Sequence, residues 1–180
     1  MDEMNYFIQS GRLESVGKYD YLHPQGKVMQ KLFFCTRGVL AVVHQQEGKE
    51  LVKQFVVEGN FMPVIFSLLE RQPSAVAIKS LEETQLISWE YSWLAGWMER
   101  PAWRGMLERM LRENYCRKEQ KETLFLTTTP KERYLQLIGN CPVIANRVPL
   151  HYIASYLGVA AETLSRIRTR RIGKKKGFSP

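Results

Sequence analysis

The chain has 180 residues, 44% of them hydrophobic and 24% charged, enough for one large domain or two small ones around a real core. It has no run of about eighteen apolar residues, which excludes a helical membrane span. The acidic opening Met1-Asp2-Glu3 lacks the basic-then-apolar order of a secretory leader, so a cytoplasmic protein is expected. The net charge of +8 is unevenly placed: Met1–Thr128 hold 16 Lys/Arg against 16 Asp/Glu, whereas Thr129–Pro180 hold 10 against 2. A neutral body with a basic C-terminal module suits a polyanion-binding end attached to a part with another task. A solvated basic tail would account for Lys174-Lys175-Lys176, but not for the patterned residues before them. Cys35, Cys116 and Cys141 are far apart and have no CxxC spacing, so neither a disulfide framework nor a four-cysteine cluster is expected.

Taken in order, residues 6–9 predict one or two helical turns. From Leu13 to Trp89 short apolar runs recur, at 31–35, 39–43 and 51–57, punctuated by Gly17, Gly26, Gly38, Gly48 and Gly59. Closely spaced strands with such turns predict an antiparallel roll or sandwich. A short helix is expected at 62–69 and two further strands at 76–80 and 84–89. After Trp89 the texture becomes helical. Residues 91–100 predict a short helix, and Pro101 suits the first position of a long one reaching Phe125. Trp103, Leu107, Met110 and Asn114 follow a 4-3-4 spacing, which is either a seam for a second copy of the helix or a face packed on its own domain. Thr129-Pro130-Lys131-Glu132 then carries the signature of a capping box, with Gly139-Asn140 and Pro142 ending that helix. The divisions expected are 1–100, 101–128 and 129–180.

Residues 148–168 predict two short amphipathic helices around a tight turn. Ile153, Ala154 and Leu157 face inward from the first. Gly158 permits the left-handed conformation that ends it, Val159 plugs the turn, and Leu164 and Ile167 bury one side of the second. Ala161, Glu162, Ser165, Arg166 and Thr169 are left facing outward, where a recognition helix presents its readers to a major groove. An arginine bonds guanine O6 and N7 together, and a carboxylate accepts from cytosine N4. Glu162, Ser165 and Arg166 are therefore the candidate base readers. Thr163, Arg168, Arg170 and Arg171 are placed for phosphates, with His151 either beside them or idle. An ordinary helical hairpin with a basic face is the competing reading. The small residue, turn glycine and local charge excess together count against it.

Residues 130–137, 147–158 and 162–168 resemble the DNA-binding half of the Crp/Fnr regulators. The order of the N-terminal half, including Gly38 after a strand and Glu58-Gly59-Asn60-Phe61 before a short helix, is similar too. The resemblance implies an α+β protein: an N-terminal antiparallel β-roll of cyclic-nucleotide-binding or cupin-like type, a long dimerisation helix, and a helix-turn-helix domain with a short or absent wing. It implies a bacterial homodimer on double-stranded DNA, with RNA polymerase as a further partner. Ala161 stands where some members have an arginine, so a different operator preference is expected.

The effector pocket departs from the pattern. Cyclic-nucleotide binders carry a Gly-Glu pair before the short helix and an Arg-Ser or Arg-Thr pair after it. Here the corresponding positions read Pro63-Val64 and Pro73-Ser74, which lack a backbone donor, a carboxylate and a cation, and Arg71 lies two residues away. Cyclic AMP is not expected to bind; an effector of another kind stays open, and no cofactor is expected. His23 and His44 have no haem motif around them and read as solvated or strand-edge residues. No nucleophile–base pair, metal-ligand spacing or phosphate loop points to an enzyme. The alternative to a sequence-specific regulator is a small-molecule sensor or protein-interaction module with weak or indirect DNA contact.

Overall fold

The computed structural model describes residues 3–62 and 64–175, with side chains over 5–62 and 64–169. A first helix α1 (Glu3–Gln9) leads into β1 (Arg12–Val16), β2 (Tyr21–His23), β3 (Lys31–Arg37), β4 (Val39–Gln46), β5 (Lys49–Val57) and β6 (Asn60–Phe61). The short helix α2 (Ile65–Glu70), the strands β7 (Ala77–Ser80) and β8 (Thr84–Glu90), and α3 (Tyr91–Ala95) complete the roll. Its strands form two antiparallel sheets, ordered β1-β8-β3-β6 and β2-β7-β4-β5. Then come the long helix α4 (Pro101–Thr127), α5 (Pro130–Asn140), α6 (Pro142–Arg147), α7 (Leu150–Leu157) and α8 (Ala161–Lys175).

The run Val39-Leu40-Ala41-Val42-Val43 in β4 is buried along its whole length. Successive strand residues point to opposite faces, so a continuous apolar run requires cover on both. Leu40 and Val42 join the core inside the roll, with Leu32, Met29, Met62, Ile65, Leu68, Ile78 and Leu86. Val39, Ala41 and Val43, with Val52, Ala77 and Leu81, enter a second core whose other half is Tyr134, Ile144, Val148, Tyr152, Ile153, Ala154, Leu157 and Leu164. The C-terminal helices are thus the cover for the outer face of the second sheet.

Phe7 of α1 lies among Trp89, Trp93, Trp97 and Trp103, stacked on Trp89 at 4.6 Å between centroids. Trp89 Nε1 donates to the Phe7 carbonyl at 2.8 Å, which satisfies the buried indole N–H. This cluster fastens α1 and the start of α4 to the first sheet, and it settles the α4 seam. Trp103 (3% exposed) and Met110 (8%) are buried in the chain's own roll core, with Leu107 packed beside them. Of the four residues read as a seam either for a second copy or for the chain's own domain, Trp103, Leu107 and Met110 thus pack within the chain, and Asn114 is half-buried. On α4 the exposed large apolar residues are Leu111, Tyr115 and Leu126. Two further features are local. Residues 142–147, following the helix end expected at Gly139-Asn140 and Pro142, form α6 with Pro142 at its first turn. His23, read as solvated or strand-edge, ends the edge strand β2 and is buried, its Nε2 hydrogen-bonded with the Lys27 carbonyl.

Candidate nucleic-acid interface

The C-terminal half is positioned by its caps. Thr129 and Glu132 form the reciprocal capping box: the Thr129 side chain accepts from Glu132 N, and the Glu132 carboxylate accepts from Thr129 N at 2.8 Å. These contacts hold the Glu132 carboxyl below its ordinary range. Arg133, one residue on, is buried. Its Nη1 donates to the Phe125 carbonyl at 3.3 Å and the Thr128 carbonyl at 2.9 Å, and its guanidinium stacks over Phe125. A cation on the last carbonyls of α4 fixes the corner at which the chain leaves the long helix. Among the described residues Arg133 Nε has no hydrogen-bond partner.

The turn between α7 and α8 is closed by Gly158 at φ +68, with Gly158 N donating to Ser155 O and Val159 N to Ala154 O, the Schellman pattern. A side chain at 158 would strain that φ and bring its Cβ to 3.2 Å from Phe125. Ala154 is 2% exposed and Leu164 fully buried, so the two helices meet through a small and a large residue. Of the residues the spacing turns outward, α8 presents Glu162, Ser165, Arg166 and Thr169 as exposed side chains, whereas Ala161 is half-buried against the core; Thr163 is exposed too, and Ile167 and Arg168 are half-buried. Among the described residues, none of the Glu162, Ser165 and Arg166 side chains takes a hydrogen-bond or ion-pair partner, so their polar atoms are free for a ligand. The backbone of 170 and 171 continues α8, while the Arg170 and Arg171 side chains lie outside the described residues.

The expected effector positions have other occupations. Val64 precedes α2 and packs on the roll core, and Pro63 lies outside the described residues. Ser74 is buried, its hydroxyl donating to Val76 O at 2.7 Å and accepting from Val76 N at 3.1 Å; Pro73 bridges to Val28. Arg71 adopts the left-handed conformation at the end of α2. Its guanidinium bonds Met29 O at 2.8 Å and Gln30 Oε1 at 2.7 Å and lies 4.1 Å over the Tyr91 ring. Its charge is therefore committed away from Ser74. Among the described residues no group of three or more His, Cys, Asp or Glu is placed to hold a metal ion.

Sequence reasoning missed the residues that seat α6 and α7 on the roll. Arg147, closing α6, reaches two turns of the roll: Nη2 donates to Glu58 Oε1 at 2.6 Å, and the guanidinium also pairs with Glu82. Glu58 Oε1 accepts from Gly38 N at 2.9 Å as well. The Arg147 guanidinium, first, and that amide hold the Glu58 carboxyl down at about 2. Ser155 of α7 accepts from Val52 N at 2.9 Å and donates to the Glu50 carbonyl at 3.1 Å. Tyr152 donates to Glu50, which Lys79 pairs with at 2.9 Å. An open cleft of about 520 Å³ lies beside this contact, lined by Tyr21, Gln45, Lys49, Glu50, His151 and Tyr152. A serine in an otherwise apolar helix, and an arginine just before the motif, were the available signals.

No family model matches the sequence. No curated protein matches it either. Solved structures do match its fold. The c-di-GMP-responsive global regulator CLP of Xanthomonas campestris superposes with a TM-score of 0.75 at 13% identity, over 98% of this chain and 94% of that one. FixK2 of Bradyrhizobium japonicum gives 0.78 at 19% identity, over 94% and 89%. The catabolite activator protein of Thermus thermophilus gives 0.58 at 15% identity, over 99% and 86%. From its first helix to its helix-turn-helix, the chain has the fold of the Crp/Fnr regulators.

Proposed function

We propose that this protein is a homodimeric, cytoplasmic, sequence-specific DNA-binding transcription regulator, without enzymatic activity, whose roll does not respond to cyclic AMP. The observation that carries the reading is the α8 face. Glu162, Ser165 and Arg166 stand exposed and unengaged on a helix whose opposite side is locked by Leu164. A base-reading surface needs that combination, because readers must be both free and held in register. Thr163 and Arg168, with Arg170 and Arg171, supply the phosphate contacts, and the charge excess of the last 52 residues supplies the salt-dependent attraction. RNA polymerase is the further partner of such a regulator.

Two observations support loss of the cyclic-nucleotide response. Val64 brings no carboxylate, and Arg71 is spent on Met29, Gln30 and the Tyr91 face. The second copy is assigned to the exposed α4 face bearing Leu111 and Tyr115, since Trp103, Leu107 and Met110 pack on the roll.

The test is a panel of duplexes, each differing from a selected site at one base pair, measured at fixed salt with wild type and Arg166→Ala. The variant should lose discrimination at one position in each half-site, a change of about 1–3 kcal/mol there. Unchanged discrimination at every position would remove Arg166 from the readers.

A further inference from the structure

In β5 the sheet register breaks at one place: Val42 pairs with Gln54, and Val43 pairs with Val52, leaving Lys53 as an extra residue. A one-residue bulge reverses side-chain parity along a strand. Residues 52 and 56 would share a face in a regular strand. Here Val52 enters the core under the C-terminal helices, and Val56 enters the core inside the roll. The residues packed toward the C-terminal helices are consequently Val52, Phe55 and Val57, a spacing that an unbroken strand does not produce.

The bulge also redirects the backbone. β5 is the edge strand of its sheet, so its outward N–H and C=O groups need partners from elsewhere. Glu50 O and Val52 N, both outward, are taken by the single hydroxyl of Ser155 on α7. In a regular strand the Lys53 carbonyl would turn back into the sheet. It instead accepts from Lys121 Nζ of α4 at 2.7 Å. Lys121 lies 4.1 Å over the ring of Tyr156, on α7, and 5.4 Å over Phe125, which touches the Gly158 turn. The bulged segment 50–53 of the roll therefore meets both elements: Lys53 O takes Lys121 of the long helix, and Glu50 O and Val52 N take Ser155 of the helix-turn-helix.

We infer that the β5 bulge at Lys53 is the joint through which the roll fixes the position of the helix-turn-helix, with Ser155 and Lys121 as its positioning residues. Arg147 pins the far end of the same strand through Glu58. A shift of β5 relative to β4 is then transmitted to α7 by hydrogen bonds rather than across a free hinge. The inference deepens the DNA-binding reading but does not need DNA for its first test.

That test is hydrogen exchange, resolved by segment, on the full chain of wild type, Ser155→Ala, Ser155→Thr and Ser155→Ala/Lys121→Met. Losing one hydrogen bond should speed exchange at Val52 about five- to tenfold in Ser155→Ala, and Ser155→Thr should restore it. In the double variant, α7 and α8 should lose protection while β3 and β8 keep theirs. A uniform loss over all segments would mean that the contacts only stabilise the fold, and no loss in α7 and α8 would mean that they couple nothing. Either result overturns the joint. On DNA, wild type should require one half-site spacing, and the double variant should accept a site lengthened by a base pair at little cost. Equal tolerance in both proteins also overturns it, whereas a wild type without any preferred site would refute the DNA-binding reading and leave the exchange result standing.

Discussion

At the scale of single residues, two ionisable groups at the contact between the roll and the C-terminal helices both make stability rise with pH, in different windows and for different reasons. Glu58 has its carboxyl at about 2 in the folded protein against an ordinary 4.5. Its folded pKa is depressed, so its stabilisation is complete above 4.5 and is lost as pH falls from 4.5 towards 2. Thermal melts of Glu58→Gln should therefore lie below wild type above pH 5 and converge with it by pH 2; a constant gap across that range would show that Arg147 does not act through this charge. In Lys121 the same direction of shift disfavours the charged form, where in Glu58 it favours it. Burial and the like charge of Lys53 push its amine down to about 8 from 10.5, with the Lys53 carbonyl and two aromatic faces holding the ammonium in place. A base with a depressed folded pKa lets the unfolded chain bind more protons between 8 and 10.5, so this group makes stability rise over that window. Lys121→Met should lack the rise. Parallel stability profiles for wild type and Lys121→Met between pH 8 and 10.5 would contradict the assignment.

At the scale of elements, α4 separates what its sequence left combined. The 4-3-4 spacing of Trp103, Leu107, Met110 and Asn114 gave one face, of which the first three pack on the roll, but periodicity does not say whose surface covers a face. Phe7 and Trp89, which help to decide it, lie far off in sequence, and Phe7 meets Trp103 of α4 directly, at 6.1 Å between ring centroids. Two substitutions make the distinction measurable. Trp103→Ala should cost about 3–5 kcal/mol of stability, the usual loss for a large buried aromatic, at any protein concentration. Tyr115→Glu should leave the roll's near-ultraviolet spectrum intact and shift sedimentation from dimer to monomer. A Tyr115→Glu protein that stays dimeric would place the second copy elsewhere. The strands and turns were more legible, because Gly38 and Gly59 at positive φ and the short apolar runs leave few alternatives. The bulge at Lys53 was not. Its signal is a shift in parity between Val52 and Val56, visible only once it is known which residues face which core.

At the scale of the whole molecule, the outer face of the second sheet and the helix-turn-helix form one apolar core, closed at its edges by Ser155, Arg147 and the Tyr152–Glu50–Lys79 group. The α7–turn–α8 unit was readable from sequence because its pattern is local: a small residue, a turn glycine and two apolar positions fix its packing. Its seat was not, because that depends on a run such as Val39–Val43 being covered on both sides, and the run alone does not name the second cover. The recognition face is the part of this arrangement left free, so the central claim is that it reads duplex DNA. The most direct measurement is selection of bound duplexes from a fully randomised library at fixed, near-physiological salt. The account predicts a two-fold symmetric site with half-sites about 10 base pairs apart, centre to centre. Recovery of no preferred sequence, with retention that only tracks salt, would contradict it.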